Sequence, residues 1–235
     1  MRAFSQTVFF SFSVPTEEEP TSDHRQLLEG LNAQGYSPVT LPLSMLQKLY
    51  PLCRQAEKGI TVTLTYHGED WMVTNLEAGD TRAHHYGLSV DYGSTTILME
   101  LVDLNSGAVL SRQREMSGQI AYGTDILTRI TFTMENSSNM DLLQQATVET
   151  FYRLFDRIQE DSGIDPRILP VMVISGNTTM IHFLLKLNAW TVFASPFAPV
   201  TKALWAGCFW LPSSRMQNSM ATPGLCLPAS TGRTS

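Results

Sequence analysis

The segment "YGLSVDYGSTTILMELVD" (residues 86–103) contains side chains that could bind an anion where two apolar stretches meet. They belong to Asp91, Gly93, Ser94, Thr95 and Thr96. Glycine lets a backbone approach a ligand closely, successive turn amides can form an anion-binding concavity, and hydroxyl groups add donors. Such a turn could bind the terminal phosphates of a nucleotide, with Asp91 holding a Mg²⁺ ion through water. The same residue types also form ordinary hairpin turns, so both interpretations stay open.

The segment "VISGNTTMIH" (residues 173–182) contains a second candidate anion site. Gly176, Asn177, Thr178 and Thr179 follow a continuous apolar run and precede a helical pattern. The first turn of a helix offers free N–H groups and a dipole that favours anions. Asn177 or Thr178 could equally be a helix cap. Since both candidate sites follow strands of the same predicted sheet, we expect them to converge on one cleft.

Other polar positions have simpler structural explanations. His84 and His85 have no third ligand at a metal-binding spacing, so a solvated pair is expected. His182 has apolar neighbours on a predicted helix, which is typical of a structural histidine. Asp125 stands where it could cap a helix, although it could also face the cleft.

The composition excludes several classes of protein. The 235 residues carry a net charge of -6 with only 16 Lys and Arg, which argues against a nucleic-acid partner. The three cysteines are far apart and in no CxxC arrangement, so we expect no disulfide, no iron–sulfur cluster and a reducing cytoplasmic location. No apolar stretch has the length that a membrane span needs.

Residues 1–80 predict a small α+β unit. The pattern indicates a strand at residues 7–14 and a hairpin at residues 60–77. Between them it predicts a helix at 24–34, capped by Ser22 or Asp23, and a second helix at 41–59. The second helix would be capped by Ser44 and kinked or broken at Pro51. The polar residues 78–85 form the expected boundary.

Residues 85–201 predict a larger α/β unit. An antiparallel meander of three strands is expected at residues 86–92, 96–104 and 108–116. Two helices follow, at 122–135 and at 139–162, the second with a cap at Asn139 or Asp141. A buried strand at 168–175 and a last helix near Met180 complete the unit. This order is that of the first half of an actin-like, ribonuclease-H-like fold. Residues 202–235 have no sustained period, and we expect a loosely ordered tail there.

Several segments resemble the reductive activators of corrinoid-dependent proteins. "YGLSVDYGSTT" is similar to that family's "YGLAVDIGTTT", "AYGTDILTRI" to its "YGADVISRI", and "VISGNTTMIHFLL" to its "VSGNTTMLHLLL". "VPTEEEPTSDHRQLLEGL" resembles the linker that precedes the family's ATPase module. The resemblance extends in consistent order over about residues 8–200, which is more specific than any single motif.

The resemblance implies a cytoplasmic protein whose actin-like ATPase module binds ATP and Mg²⁺. In this family ATP drives the return of a corrinoid from Co(II) to Co(I) on a methyltransferase partner. Family members carry an N-terminal [2Fe–2S] domain and a second actin-like lobe, neither of which matches this sequence. We therefore expect a truncated member with the linker and middle regions, completed by a homodimer or a separate second lobe. Whether such a chain hydrolyses ATP alone is left open.

Two alternatives remain at this point. The chain could be half of a small-molecule kinase of the same superfamily, which would need a catalytic carboxylate facing a substrate pocket. It could also be a non-catalytic module that docks a partner, with the hydroxyl-rich turns purely structural.

Overall fold

The computed structural model describes residues 4–13, 17, 20–55, 59–66, 68–201 and 225–226. The chain divides into two compact units, and a short return segment, Asp103–Gly107, belongs to the first of them. The rest of the first unit is Met1–Tyr86, and the second unit is Gly87–Val102 with Ala108–Ser235. The tail expected at residues 202–235 lies outside the described residues, except for 225–226.

The first unit combines two helices with a four-stranded sheet. Its elements are β1 (Ser5–Phe10), α1 (Asp23–Ala33), β2 (Val39–Thr40), α2 (Leu43–Gln55), β3 (Ile60–Tyr66) and β4 (Trp71–Ala78). The strand order is β1-β3-β4-β2. β3 pairs antiparallel with both β1 and β4, while β2 runs parallel to β4. The predicted hairpin at 60–77 is therefore confirmed.

The helices of this unit form because their apolar residues recur at helical spacing. α1 starts after Ser22, whose hydroxyl oxygen accepts a hydrogen bond from the Arg25 amide at 3.3 Å, as predicted for a helix cap. Leu27 and Leu31, four residues apart on one face, are fully buried. They join Leu64 and Trp71 of the sheet in a single apolar cluster.

Three details of the first unit differ from the sequence prediction. β1 ends at Phe10 rather than at residue 14. α2 begins at Leu43, so Ser44 lies inside the helix and does not cap it. The helix continues through Pro51 to Gln55 instead of breaking there. A proline removes one backbone donor, but packing of the remaining apolar face can still hold the helix together.

The second unit is a mixed sheet with helices. Its elements are β5 (Tyr86–Tyr92), β6 (Thr96–Asp103), β7 (Val109–Met116), a 3-10 helix (Gly118–Tyr122), α3 (Ile126–Glu135), α4 (Asn139–Ser162), a second 3-10 helix (Pro166–Ile168), β8 (Met172–Gly176), α5 (Thr178–Leu184), α6 (Trp190–Phe193) and β9 (Leu225–Cys226). The strand order is β7-β6-β5-β8-β9. β6 and β7 are antiparallel, whereas β8 runs parallel to β5 and to β9.

The long helix α4 supplies much of the second unit's core. Its buried side chains include Leu143, Phe151, Leu154 and Ile158, which repeat at the spacing of one helical face. The residue before it, Ser138, makes no side-chain capping bond. Asn139 and Asp141 lie inside the helix, so the predicted caps at these positions are wrong.

The second unit's other boundaries shift by a few residues. α3 starts at Ile126 rather than at 122, because residues 118–122 form a 3-10 helix instead. β8 is limited to Met172–Gly176, shorter than the predicted 168–175 strand. In the part of the chain that the structure describes, no helix combines the length and apolarity that crossing a bilayer requires.

Candidate anion-binding site

The two predicted anion-binding segments lie side by side at one edge of the second unit's sheet. β5 and β8 are parallel neighbours, with Asp91 opposite Ser175 and Tyr92 opposite Gly176. Since both strands end there, the turn after β5 and the turn after β8 emerge from the same edge. The carboxyl edge of parallel strands is where open α/β sheets bind their ligands.

Two glycines allow the backbones at this edge to pack closely. A Cβ atom on Gly93 would lie 2.4 Å from the carbonyl oxygen of Thr96, within the turn itself. A Cβ atom on Gly176 would lie 2.9 Å from the carbonyl oxygen of Tyr92 on the neighbouring strand. Real Cβ atoms do not approach so near, so any other residue would force these backbones apart.

The carbonyl groups of the turn after β5 are held by donors on other elements. The Ser94 carbonyl oxygen accepts a hydrogen bond of 2.8 Å from Nη1 of Arg129. The Thr95 carbonyl oxygen accepts one of 2.9 Å from the Ser117 amide. In a trans peptide the C=O group and the following N–H group point in opposite directions. The Thr95 amide is therefore directed away from Arg129. The Thr96 amide is directed away from β7, toward the side of β6 on which β5 lies.

Asp91 presents an uncommitted carboxylate at the same edge. Its neighbours Val90 and Tyr92 are buried while Asp91 is exposed, as expected because side chains alternate between the faces of a strand. Within the described ranges, the carboxylate of Asp91 forms no hydrogen bond or ion pair. A carboxylate in this condition is available to a cation or to water molecules that surround one.

The hydroxyl groups of the turn are also available. Ser94 is half-buried, and Thr95 and Thr96 are exposed. No side-chain hydrogen bond of these three residues is found in the part of the chain that the structure describes. These hydroxyl groups are therefore free to donate to a ligand, and binding by this turn stays a prediction.

The segment after β8 has a stronger structural explanation. The side chain of Asn177 accepts a hydrogen bond of 2.9 Å from the Met180 amide and so caps α5. Thr178 is exposed, but Thr179 is buried. α5 spans seven residues, too few for a large helix dipole. Binding by Gly176–Thr179 stays a prediction.

Arg129 is the residue of this site that sequence reasoning missed. Its side chain is fully buried, and it donates through Nε to the Gly123 carbonyl oxygen at 2.8 Å as well as to Ser94. Burial lowers the pKa of Arg129, while the nearby Tyr92 and Asp125 act against that shift. Arg129 stands in the apolar stretch "ILTRITF", and a lone arginine among apolar helix residues was the available signal.

A buried polar network joins β5 to α4 beneath the site. The Tyr92 hydroxyl lies 2.6 Å from the Thr147 hydroxyl and accepts a hydrogen bond of 3.0 Å from Nε2 of Gln119. Gln119 also donates to the Leu143 carbonyl oxygen at 3.0 Å. Burial raises the pKa of Tyr92, so it remains a neutral hydroxyl. The network fixes the strand that carries Asp91.

The other polar candidates have structural partners. Asp125 caps α3, because its carboxylate accepts from the Thr128 amide at 2.9 Å and hydroxyl at 2.7 Å. These bonds lower the pKa of Asp125. Nδ1 of the buried His182 lies 2.6 Å from the Thr178 carbonyl oxygen.

His85 was expected to be a solvated linker residue, but that expectation is wrong. It is buried in the first unit, where its Nε2 atom lies 2.9 Å from the Ser5 hydroxyl. His84 is exposed, as predicted. Among the described residues, no three potential metal-binding side chains of His, Cys, Asp or Glu come together. A cation at this site would therefore depend on Asp91 and on the ligand's own oxygens.

These features define a mixed α/β protein with two sheets and a candidate anion-binding edge. Two family models match the chain: the RACo linker region over residues 2–83 and the RACo middle region over residues 86–219. The second match alone covers more than half of the chain, and the chain belongs to the RACo family.

Two relatives support the same assignment. The chain is 30% identical over 112 residues to the corrinoid activation enzyme RamQ of Eubacterium limosum, a match that covers 48% of this chain and 19% of that protein. The solved structure of a reductive activator for corrinoid, iron–sulfur protein is similar with a TM-score of 0.78 and 25% identity. That match covers 88% of this chain and 33% of the solved chain. The sequence thus spans a third or less of each relative.

Proposed function

We propose that the second unit is the phosphate-binding half of an actin-like ATPase module. In this proposal the protein supports the ATP-dependent reactivation of a corrinoid methyltransferase partner, from Co(II) to Co(I). The observation that carries the proposal is the parallel pairing of β5 with β8. This pairing puts the exposed carboxylate of Asp91, a glycine turn and the hydroxyl groups of Ser94 and Thr95 at one sheet edge.

The residues present fit a magnesium-bound polyphosphate. The amide of Thr95 and the hydroxyls of Ser94 and Thr95 would donate to phosphate oxygens. Asp91 would bind Mg²⁺ through water, since a direct contact between a carboxylate and a phosphate is repulsive. When bound, the ion would neutralise charge on the terminal phosphates.

Nucleotide binding would affect the partner through conformation. Actin-like modules act by closing a cleft around nucleotide, and a ligand shifts a conformational equilibrium only by its differential affinity for the two states. The turn after β5 connects directly to β6 and, through Tyr92, to α4. Movement of this turn on phosphate binding would therefore be transmitted to the elements that form the unit's surface.

The direct test is calorimetric titration of the full chain with ATP in the presence of Mg²⁺, repeated with EDTA. We expect saturable binding that weakens when the metal is removed. The absence of heat and of any nucleotide-dependent thermal stabilisation would contradict the proposal and favour a non-catalytic docking module.

A second experiment distinguishes the corrinoid role from a small-molecule kinase half. A corrinoid methyltransferase protein, prepared in the Co(II) state, is passed over the immobilised chain with and without ATP and Mg²⁺. We expect retention that responds to nucleotide. Nucleotide binding without any retention would favour the kinase alternative.

A further inference from the structure

We infer that Arg129 is a positioning residue for phosphate binding, which holds the Ser94 carbonyl inward so that the Thr95 amide faces the ligand. The inference rests on the proposed function, because it assigns a role within the same site. Arg129 itself is buried and acts through the turn.

The contacts of Arg129 point toward the two segments of the site. Nη1 lies 2.8 Å from the Ser94 carbonyl oxygen and 3.8 Å from Sδ of Met180. Met180 lies in the first turn of α5, whose cap is Asn177. One guanidinium group therefore contacts both the turn after β5 and the helix after β8. A change in its position would disturb both segments together.

The burial of Arg129 is unusual for a residue with a purely structural role. The side chain is 0% exposed, and within the described residues it forms no ion pair and its Nη2 atom has no hydrogen-bond partner. A buried charge without a carboxylate partner is costly, and an apolar side chain of similar size would usually be as stable or more so. The free-energy cost of burying this charge is explained if the guanidinium holds the Ser94 carbonyl, which an apolar side chain cannot do.

Two physical effects follow from this placement. First, the hydrogen bond fixes the Ser94–Thr95 peptide, which is trans, with its N–H group directed away from Arg129. Second, the positive charge behind the turn attracts an anion in front of it, and the burial of Arg129 weakens screening by salt. Both effects favour a ligand with several negative charges over a neutral one.

The charged and titratable groups near Arg129 do not cancel this attraction. Asp125, and Tyr92 once it is ionised, are the groups whose charges raise the pKa of Arg129. The Asp125 carboxylate is exposed and accepts hydrogen bonds from Thr128. Tyr92 is held neutral by burial. The guanidinium thus keeps a net positive charge beside the turn.

The test compares Arg129→Met and Arg129→Lys with Arg112→Met, a matched control. Arg112 lies on β7 of the same unit and is paired with Glu100 at the surface. Each full-length protein is titrated with ATP, with inorganic triphosphate and with adenosine, all in the presence of Mg²⁺. The amide resonance of Thr95 is followed by ¹⁵N NMR in the same titrations.

We expect Arg129→Met to weaken binding of triphosphate about tenfold or more, since a charge-assisted hydrogen bond and a nearby charge are both lost. The shift of the Thr95 resonance on adding triphosphate should disappear as well. Arg129→Lys, which keeps the positive charge and a donor group without the planar guanidinium, should restore part of the affinity. The Arg112→Met control should bind within about twofold of the wild type.

Some outcomes would overturn the inference. If a folded Arg129→Met protein binds triphosphate like the wild type, Arg129 does not position the turn. If Arg129→Met does not fold, Arg129→Lys decides, and unchanged affinity with an unchanged Thr95 shift would reject the inference. If the wild type binds no phosphate compound, the proposed function fails first and the inference fails with it.

Discussion

Asp91 of β5 lies directly opposite Ser175 of β8 in the parallel register of the second unit's sheet, and both side chains are exposed. Side chains opposite one another on neighbouring strands point to the same face. Asp91 and Ser175 are 84 residues apart in the chain. The register brings the Asp91 carboxylate and the end of β8 together at the same edge of the sheet. A slip of one residue would turn Asp91 toward the core.

Replacing Asp91 by asparagine should weaken the magnesium-dependent part of nucleotide binding. The amide keeps the shape of the side chain but loses the charge that holds the hydrated cation. We expect a loss of about tenfold or more in affinity for ATP with Mg²⁺, and little change when EDTA is present. Calorimetric titration measures both values.

The matched control for that experiment is Glu160→Gln, which removes the same charge from an exposed position on α4. Affinity and thermal stability should be unchanged in this variant. If Asp91→Asn and Glu160→Gln behave alike, the carboxylate of Asp91 has no specific role in cation binding.

Replacing Gly93 by alanine should damage both stability and binding. The added Cβ atom would lie 2.4 Å from the Thr96 carbonyl oxygen, so the turn must shift, at a cost of about 1–3 kcal/mol in the free energy of unfolding. Binding of triphosphate should fall because the amides of the turn move. Urea unfolding and calorimetry measure the two effects.

Gly107→Ala is the matched control, because it replaces a glycine in a different turn. It distinguishes the general cost of replacing a turn glycine from an effect specific to the turn after β5. Gly107 has a φ of +77° and open space around the position of a Cβ atom, so alanine should cost about 1 kcal/mol through backbone strain alone. Triphosphate binding should be unaffected. A Gly93→Ala protein that binds as well as Gly107→Ala would show that the turn after β5 is an ordinary hairpin turn.

Replacing Tyr92 by phenylalanine should destabilise the second unit by about 1–2 kcal/mol. The change deletes the hydroxyl that contacts Thr147 and Gln119, and it leaves buried polar groups with fewer partners. Tyr152→Phe is the control, since Tyr152 is only half-buried on α4. Equal unfolding free energies for the two variants would indicate that the buried network contributes nothing to stability.

Stability should depend on pH through His85. Burial lowers the pKa of His85 below its ordinary value of 6.5, and the nearby Asp103 opposes the shift. The unfolded chain therefore binds a proton at a higher pH than the folded chain, and stability rises with pH in this range. The contribution is complete above pH 6.5 and is lost as the pH falls toward the pKa of the folded state.

Urea unfolding at several pH values between 7.5 and 5 measures this effect. The unfolding free energy should fall with pH in the wild type and fall less in His85→Gln, which cannot be protonated. His84→Gln, at an exposed neighbouring position, should keep the wild-type pH dependence. A slope that is the same in all three proteins would exclude His85 as the cause.

Local features were predictable wherever neighbouring residues determine them. The Ser22 cap, the apolar stripe of α1 and the left-handed Gly163 that ends α4 depend on residues a few positions apart. So does the turn rich in glycine and hydroxyl groups after β5, which was correctly located between two strands. Errors in the sequence prediction fell mainly at element ends, where several nearby residues could serve as caps.

The sequence by itself determined the kind of residues at the candidate site and the order of strands and helices around it, because periodicity and turn chemistry are local properties. Only the tertiary structure decided that β5 pairs with β8 and that Arg129 reaches the Ser94 carbonyl 35 residues away. It also decided that His85 is buried against Ser5. Such contacts depend on how distant segments share one core, and their energies come from burial and hydrogen bonding that no local pattern contains.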